Sequence, residues 1–175
     1  EEKENPLTKK FALYLNRIGY NFVFTFHGQP FRDDKRTTGI GLKENIDKSI
    51  KGVEKYVKDK DYVYFTVLDS DDMFHRKMVE LIQKEKYEYK KALTPIIGFI
   101  LNDNTGRLAV WNHPSCPPYY TIMFPKDVFL DAEKHLKYYG SFISHEDILN
   151  VFNCKRMPDY LYCCTVHGGN ISTQW

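Results

Sequence analysis

Asp69, Asp71 and Asp72 put three carboxylates within the four residues Asp69-Ser70-Asp71-Asp72, directly after the apolar run Tyr62-Val63-Tyr64-Phe65-Thr66-Val67-Leu68. Carboxylates so close repel one another unless a cation or a proton shares the site. A hard divalent cation, which takes oxygen ligands, is the economical partner. Two further polar groupings carry chemistry. His145-Glu146-Asp147 precedes an apolar stretch, and His167-Gly168-Gly169-Asn170 lies close to the end. Each also has a structural reading: acids at a helix start complement its dipole and cap its amides, and a lone histidine serves as a turn or core residue.

The elements that must hold these groups follow from periodicity. Residues 62–68 read as one buried strand, since a continuous β-branched and aromatic run suits a strand covered on both faces by helices. In open α/β sheets ligands bind outside the carboxyl ends of such strands. Upstream, a helix is expected over about 8–18 with a stop at Gly19, then a strand over Asn21–His27 and a polar loop over Gly28–Gly41 carrying Gln29, Arg32 and Arg36. Leu42, Ile46, Ile50, Val53 and Val57 keep helical spacing and predict a second helix to Lys58.

Downstream of the acidic cluster a helix is expected from about Phe74 to Lys86, with Met78, Leu81 and Ile82 inward. Ala92–Leu101 and Arg107–Trp111 are extended runs joined by the hairpin turn 102–106. Tyr119–Phe124 reads as a strand, Lys126–Tyr138 as a helix, His145–Phe152 as a helix and Tyr160–Val166 as the last strand. The alternation predicts an α/β fold, as one domain over residues 1–175. Such domains usually open on a strand, so either a first strand is expected upstream, in a chain that is truncated or part of a larger protein, or the order of elements is unusual.

Composition narrows the classes. Charged residues make up 27% of the 175, with a net charge of +2 and Lys and Arg interleaved with Asp and Glu, which argues against a dedicated nucleic-acid binder. The 15% aromatic share favours a packed domain over disorder. No uncharged apolar stretch reaches the roughly 18 residues a spanning helix needs, and no signal peptide is read at the start. Cys116, Cys154, Cys163 and Cys164 lack the paired spacing of a zinc site and read as reduced, part-buried thiols of a cytoplasmic protein.

The acidic cluster, with a strand before it and an amphipathic helix after it, resembles the DxD element of nucleotide-sugar glycosyltransferases of the GT-A fold. The resemblance extends to Gly39-Ile40-Gly41-Leu42-Lys43-Glu44-Asn45 with Ile46 and Ile50, which looks like the family's glycine-containing loop and Asn-bearing helix. Glu44 departs from the basic residue often found there. His145-Glu146-Asp147-Ile148-Leu149 is similar to the family's Glu-Asp element, and His167-Gly168-Gly169-Asn170-Ile171-Ser172 to its terminal histidine. The terminal pattern is most similar to that of rhamnosyltransferases, bacterial and virus-encoded. The resemblance implies a GT-A-like domain of three layers in the order α/β/α around a central mixed, mostly parallel sheet.

The resemblance implies a metal-dependent hexosyl transfer from a UDP- or dTDP-sugar, rhamnose or glucose, to a glycan hydroxyl, in a bacterial or host-cell cytoplasm. Mn²⁺ or Mg²⁺ would be held by Asp71 and His167, with Asp69 on the donor ribose or a metal-bound water. Asp72 would steady the donor sugar or the shell, and Asn45, Lys43 and Gly168 would lie at the donor. Asp147 would be the general base, with Glu146 ligating, orienting or substituting for it; direct displacement implies inversion.

Alternatives stay beside that expectation. A non-catalytic nucleotide-sugar or carbohydrate-binding module would keep the fold without turnover. Phosphatases of the haloacid-dehalogenase type also carry Asp-x-Asp after a strand, but with Thr or Val where Met73 stands here. Lys43, Arg32 and Arg36 read equally well as solvated surface, His75 as helix surface, and Trp111, Tyr119 and Tyr120 as core rather than a sugar-stacking platform.

Overall fold

The computed structural model describes residues 6–18, 40–69, 71–113, 116–117, 119–140 and 145–167. In chain order the elements are helices α1 (Pro6–Arg17) and α2 (Ile40–Val57), strands β1 (Tyr62–Thr66) and β2 (Met73–Phe74), helix α3 (Met78–Lys84), and strands β3 (Lys91–Thr94), β4 (Ile97–Asn102), β5 (Arg107–Asn112) and β6 (Thr121–Pro125). Helices α4 (Lys126–Phe129), α5 (Ala132–Tyr139) and α6 (Ile148–Val151) follow, then strands β7 (Asn153–Arg156) and β8 (Tyr162–Val166). The expected strand 21–27 and most of the loop 28–41 lie outside the described residues.

Two compact units divide the chain. Residues 1–61 and 125–138 form one, in which the described elements are helical, and residues 62–124 and 139–175 form the other. The second holds two four-stranded sheets, ordered β1-β6-β3-β7 and β2-β8-β4-β5. The fold is therefore α/β, but the single central, mostly parallel sheet is not found. Of the pairings with a described register, β2–β8, β3–β6 and β4–β5 are antiparallel, and only β3–β7 and β4–β8 are parallel.

Strands cross repeatedly from one sheet to the other. The expected run 92–101 is two strands, β3 in the first sheet and β4 in the second, separated by Pro95 and Ile96. Proline donates no ladder hydrogen bond and suits such a break. Strands β7 and β8 make the same crossing alongside, tied to their neighbours by Met157 N–H to Thr94 O at 3.0 Å and Tyr160 N–H to Ile97 O at 2.7 Å. Among the described strands β1 is the outermost of its sheet, with Tyr62 exposed and the rest half-buried.

Local chemistry explains other differences. Helix α3 starts at Met78, because Met73 and Phe74 pair with Cys163 and Tyr162 as β2 instead of opening the helix. Its inward residues are as expected: Met78 and Ile82 join Leu93, Met123, Met157 and Leu161 in one core cluster. The expected helix 126–138 is broken at Leu130-Asp131, where Asp131 Oδ1 accepts from the N–H groups of Glu133 and Lys134, each at 3.0 Å, and starts α5 anew. The expected hairpin 102–106 forms, with Gly106 at φ +66°. The four cysteines form no disulfide, and burial pushes the Cys154 and Cys164 thiols up to about 11.

Gly98 in β4 is required by close approach. A Cβ there would lie 2.6 Å from the Tyr162 ring, and Tyr162 is almost wholly buried against Tyr119. Gly98→Ala is expected to lower stability by about 1–3 kcal/mol, measured by urea denaturation, since overpacking forces ring and backbone shifts. Unchanged stability would show that Tyr162 does not sit on β4 as described.

Candidate functional site

The acidic residues occupy the turn by which the chain leaves the first sheet and enters the second. The end of β1 is fastened to the residues around the start of β6: Thr66 Oγ1 bonds Thr121 Oγ1 at 2.9 Å, and Val67 N–H donates to Tyr120 O at 3.0 Å. The turn closes with Asp72 N–H donating to Asp69 O at 3.2 Å, after which β2 pairs with β8. Strand β8 ends one residue before His167. The β1 exit and the β8 exit thus meet, and His167 Nε2 lies 3.0 Å from Asp71 Oδ2, both side chains about one-third exposed.

Asp72 points the other way. Its Oδ1 accepts the Thr165 N–H at 2.6 Å, and its Oδ2 accepts the Tyr119 hydroxyl. Tyr119 is fully buried, its ring 4.6 Å from Tyr162 and edge-on to Phe74 at 6.2 Å. Burial first, and then the hydrogen bond to Asp72, raises the Tyr119 phenol far above its ordinary value, so it stays a donor.

Asp69 is solvent-exposed but hemmed in by protein. Partial desolvation raises its carboxyl above the usual range, the charges of Asp72 and Asp71 add to this, and His145 opposes it. His145 is oriented by its Nδ1, 2.6 Å from Cys116 O. A carbonyl can only accept, so Nδ1 carries the proton and Nε2 is the nitrogen left for a further partner. The His145 ring meets His113 at 5.8 Å, and His113 meets Trp111 at 5.2 Å. In the sequence His145 stands only as the first residue of His145-Glu146-Asp147 and Tyr119 only as a core aromatic, because their partners, the Cys116 carbonyl and Asp72, lie far along the chain.

His145–Asp147 form a 3₁₀ turn leading into α6. Asp147 is part-buried at the cap position, yet its side chain makes no capping hydrogen bond there. Lys43 is exposed on α2 in the helical unit. The side chains of Asn45 and Glu146, and Gly168 entirely, lie outside the described residues. His75 is exposed ahead of α3, its Nδ1 accepting from Lys77 N–H at 3.2 Å. Tyr119 and Tyr120 are buried, as a core role requires, and only Trp111 of the three aromatics is half-exposed.

The donor set tests the fit of a metal. Among the described residues no three His, Cys, Asp or Glu side chains gather as a metal-holding group. Asp71 and His167 offer one carboxylate oxygen and one imidazole nitrogen. Two donors do not make a closed protein cage; they suit a Mg²⁺ or Mn²⁺ ion whose other positions are filled by water and substrate phosphate.

A groove of about 660 Å³ lies elsewhere in the same unit, lined by Leu81, Lys84, Lys155, Arg156 and Met157 among others and by none of the acidic cluster. Its cations are each paired, Lys84 with Glu80, Lys155 with Glu85 and Arg156 with Asp159, which argues against a diphosphate site there. No family model, curated protein or solved structure matches this chain. No helix among the described residues is long and apolar enough to cross a membrane.

Proposed function

We propose that the chain is the catalytic domain of a metal-dependent glycosyltransferase, moving a hexose from a nucleotide-diphosphate donor to a glycan hydroxyl with inversion. The resemblance to the GT-A glycosyltransferases names the class. The observation that carries it is the Asp71–His167 contact: residues 96 apart in sequence, which the resemblance assigns to one metal, lie 3.0 Å from each other. A bound Mn²⁺ or Mg²⁺ would supply charge stabilisation to the departing diphosphate. Asp71 and His167 are the protein's share of its ligands. Asp69, its carboxyl raised by partial burial and then by the charges of Asp72 and Asp71, is the group for the donor ribose or a bound water.

Asp147 takes the proton of the attacking hydroxyl in this reading. Its side chain makes no capping hydrogen bond to α6, so helix capping does not account for the residue. The UDP- and dTDP-linked hexoses, with rhamnose and glucose foremost, are the donors to try.

The test is a panel of nucleotide sugars with and without Mn²⁺, scored by thermal stabilisation and slow donor hydrolysis. One donor class should raise the melting temperature only when Mn²⁺ is present, as ligand binding to the folded state requires. No metal-dependent shift with any donor would refute the proposal.

A further inference from the structure

Of the three clustered carboxylates, one is held at both oxygens by the protein itself. Asp72 Oδ1 takes the Thr165 N–H and Oδ2 takes the Tyr119 hydroxyl, so each oxygen already holds a directed hydrogen bond. Strand β2 pairs with β8 only at Met73↔Cys163 and Phe74↔Tyr162. At Thr165 the β2 backbone no longer supplies an acceptor, and the Asp72 carboxylate stands in for it. The other end of the contact is equally fixed, since Tyr119 is fully buried between Tyr162 and Phe74. Asp71 precedes Asp72 by one residue, and His167 follows Thr165 by two.

We infer that Asp72 is a positioning residue, not a ligand of the donor: the Tyr119–Asp72–Thr165 clasp sets Asp71 and His167 face to face. What the pair binds rests on the transferase proposal; the clasp itself does not. The geometry separates Asp71, which faces His167, from Asp72, which is turned into the protein. Tyr119, a core residue with no exposed surface, then controls binding at an exposed pair.

The experiment compares wild type, Tyr119→Phe, Asp72→Ala and the double variant well below their melting temperatures. Mn²⁺ affinity is read from the paramagnetic signal of the free ion, and Thr165 amide exchange is read by NMR. Loss of a group that orients a metal ligand typically weakens binding tenfold or more, so Tyr119→Phe and Asp72→Ala should each lower Mn²⁺ affinity by about tenfold, and the double variant should be no worse than Asp72→Ala.

Thr165 exchange should accelerate in both single variants. Wild-type affinity in Tyr119→Phe beside loss in Asp72→Ala would make Asp72 a direct ligand and overturn the inference. Should Asp72→Ala fail to fold, Tyr119→Phe decides alone by the same two readings. If wild type takes no Mn²⁺, the metal proposal fails, and Thr165 exchange decides the clasp: faster in Tyr119→Phe upholds it, unchanged overturns it.

Discussion

Asp71→Asn is expected to lower sugar transfer by at least about a hundredfold, equivalent to about 2.7 kcal/mol of lost transition-state stabilisation, while the melting temperature moves by only a few degrees. The asymmetry follows from where Asp71 sits. It is exposed in a turn and touches His167, whereas the neighbouring Asp72 bonds the backbone of β8 and a buried phenol. Losing the Asp71 charge removes one hard ligand and leaves the clasp in place. Asparagine keeps a carbonyl oxygen, so the local turn survives, but a neutral amide holds a divalent cation far less well than a carboxylate. His167→Ala should act in the same direction and cost more with Mn²⁺ than with Mg²⁺, because imidazole suits the softer ion. Transfer by Asp71→Asn within a factor of a few of wild type would remove Asp71 from the site. A collapse of stability with it would show that the residue serves the fold.

What the sequence displayed of the fold was the part governed by local chemistry. Asn102 to Gly106 has the composition of a hairpin turn, and Gly106 adopts the positive φ such a turn needs. Met78 and Ile82 kept helical spacing and are buried. Strand β7 escaped because nothing in Asn153-Cys154-Lys155-Arg156 alternates or is apolar; it is a strand because β3 lies parallel to it. An apolar run signals burial without saying where in a sheet the strand lies, and among the described strands β1 is the outermost of its sheet. The division into two sheets depends on crossings at residues 67–72 and 95–96, which periodicity cannot reveal.

The candidate site was legible as a set of residue types and not as an arrangement. Asp69, Asp71 and Asp72 looked equivalent in the chain. Their difference comes from partners 96 residues away for Asp71, and 47 and 93 away for Asp72. His145 was visible only as the start of an acidic motif. Its orientation depends on the Cys116 carbonyl, 29 residues upstream, and its influence on Asp69 on the tertiary fold. Tyr119, set aside as core, is core, and that is how it reaches Asp72.

Asp147→Asn is expected to reduce turnover by about 10²–10⁴-fold, the usual worth of a positioned general base, with donor and Mn²⁺ binding unchanged. The competing structural role gives the reverse result. A capping aspartate replaced by a non-capping residue costs about 1 kcal/mol, which in a domain of this size shifts the melting temperature by roughly 2–4 °C and leaves catalysis alone. Asparagine caps as well as aspartate, so Asp147→Asn spares a cap while removing a base, and Asp147→Ala removes both. If Asp147 is the base, the two variants lose turnover equally and neither loses much stability, in keeping with the absent capping bond. The cap interpretation would leave Asp147→Asn active and Asp147→Ala destabilised. Should Asp147→Asn transfer sugar at the wild-type rate, the proton must go elsewhere, and His145, with Nδ1 committed to the Cys116 carbonyl and Nε2 left for another partner, is the next group to substitute. Measuring transfer across pH in Asp147→Asn separates these cases. Loss of the base removes the acid limb of the rate profile along with the turnover, whereas a base located at His145 leaves that limb in place.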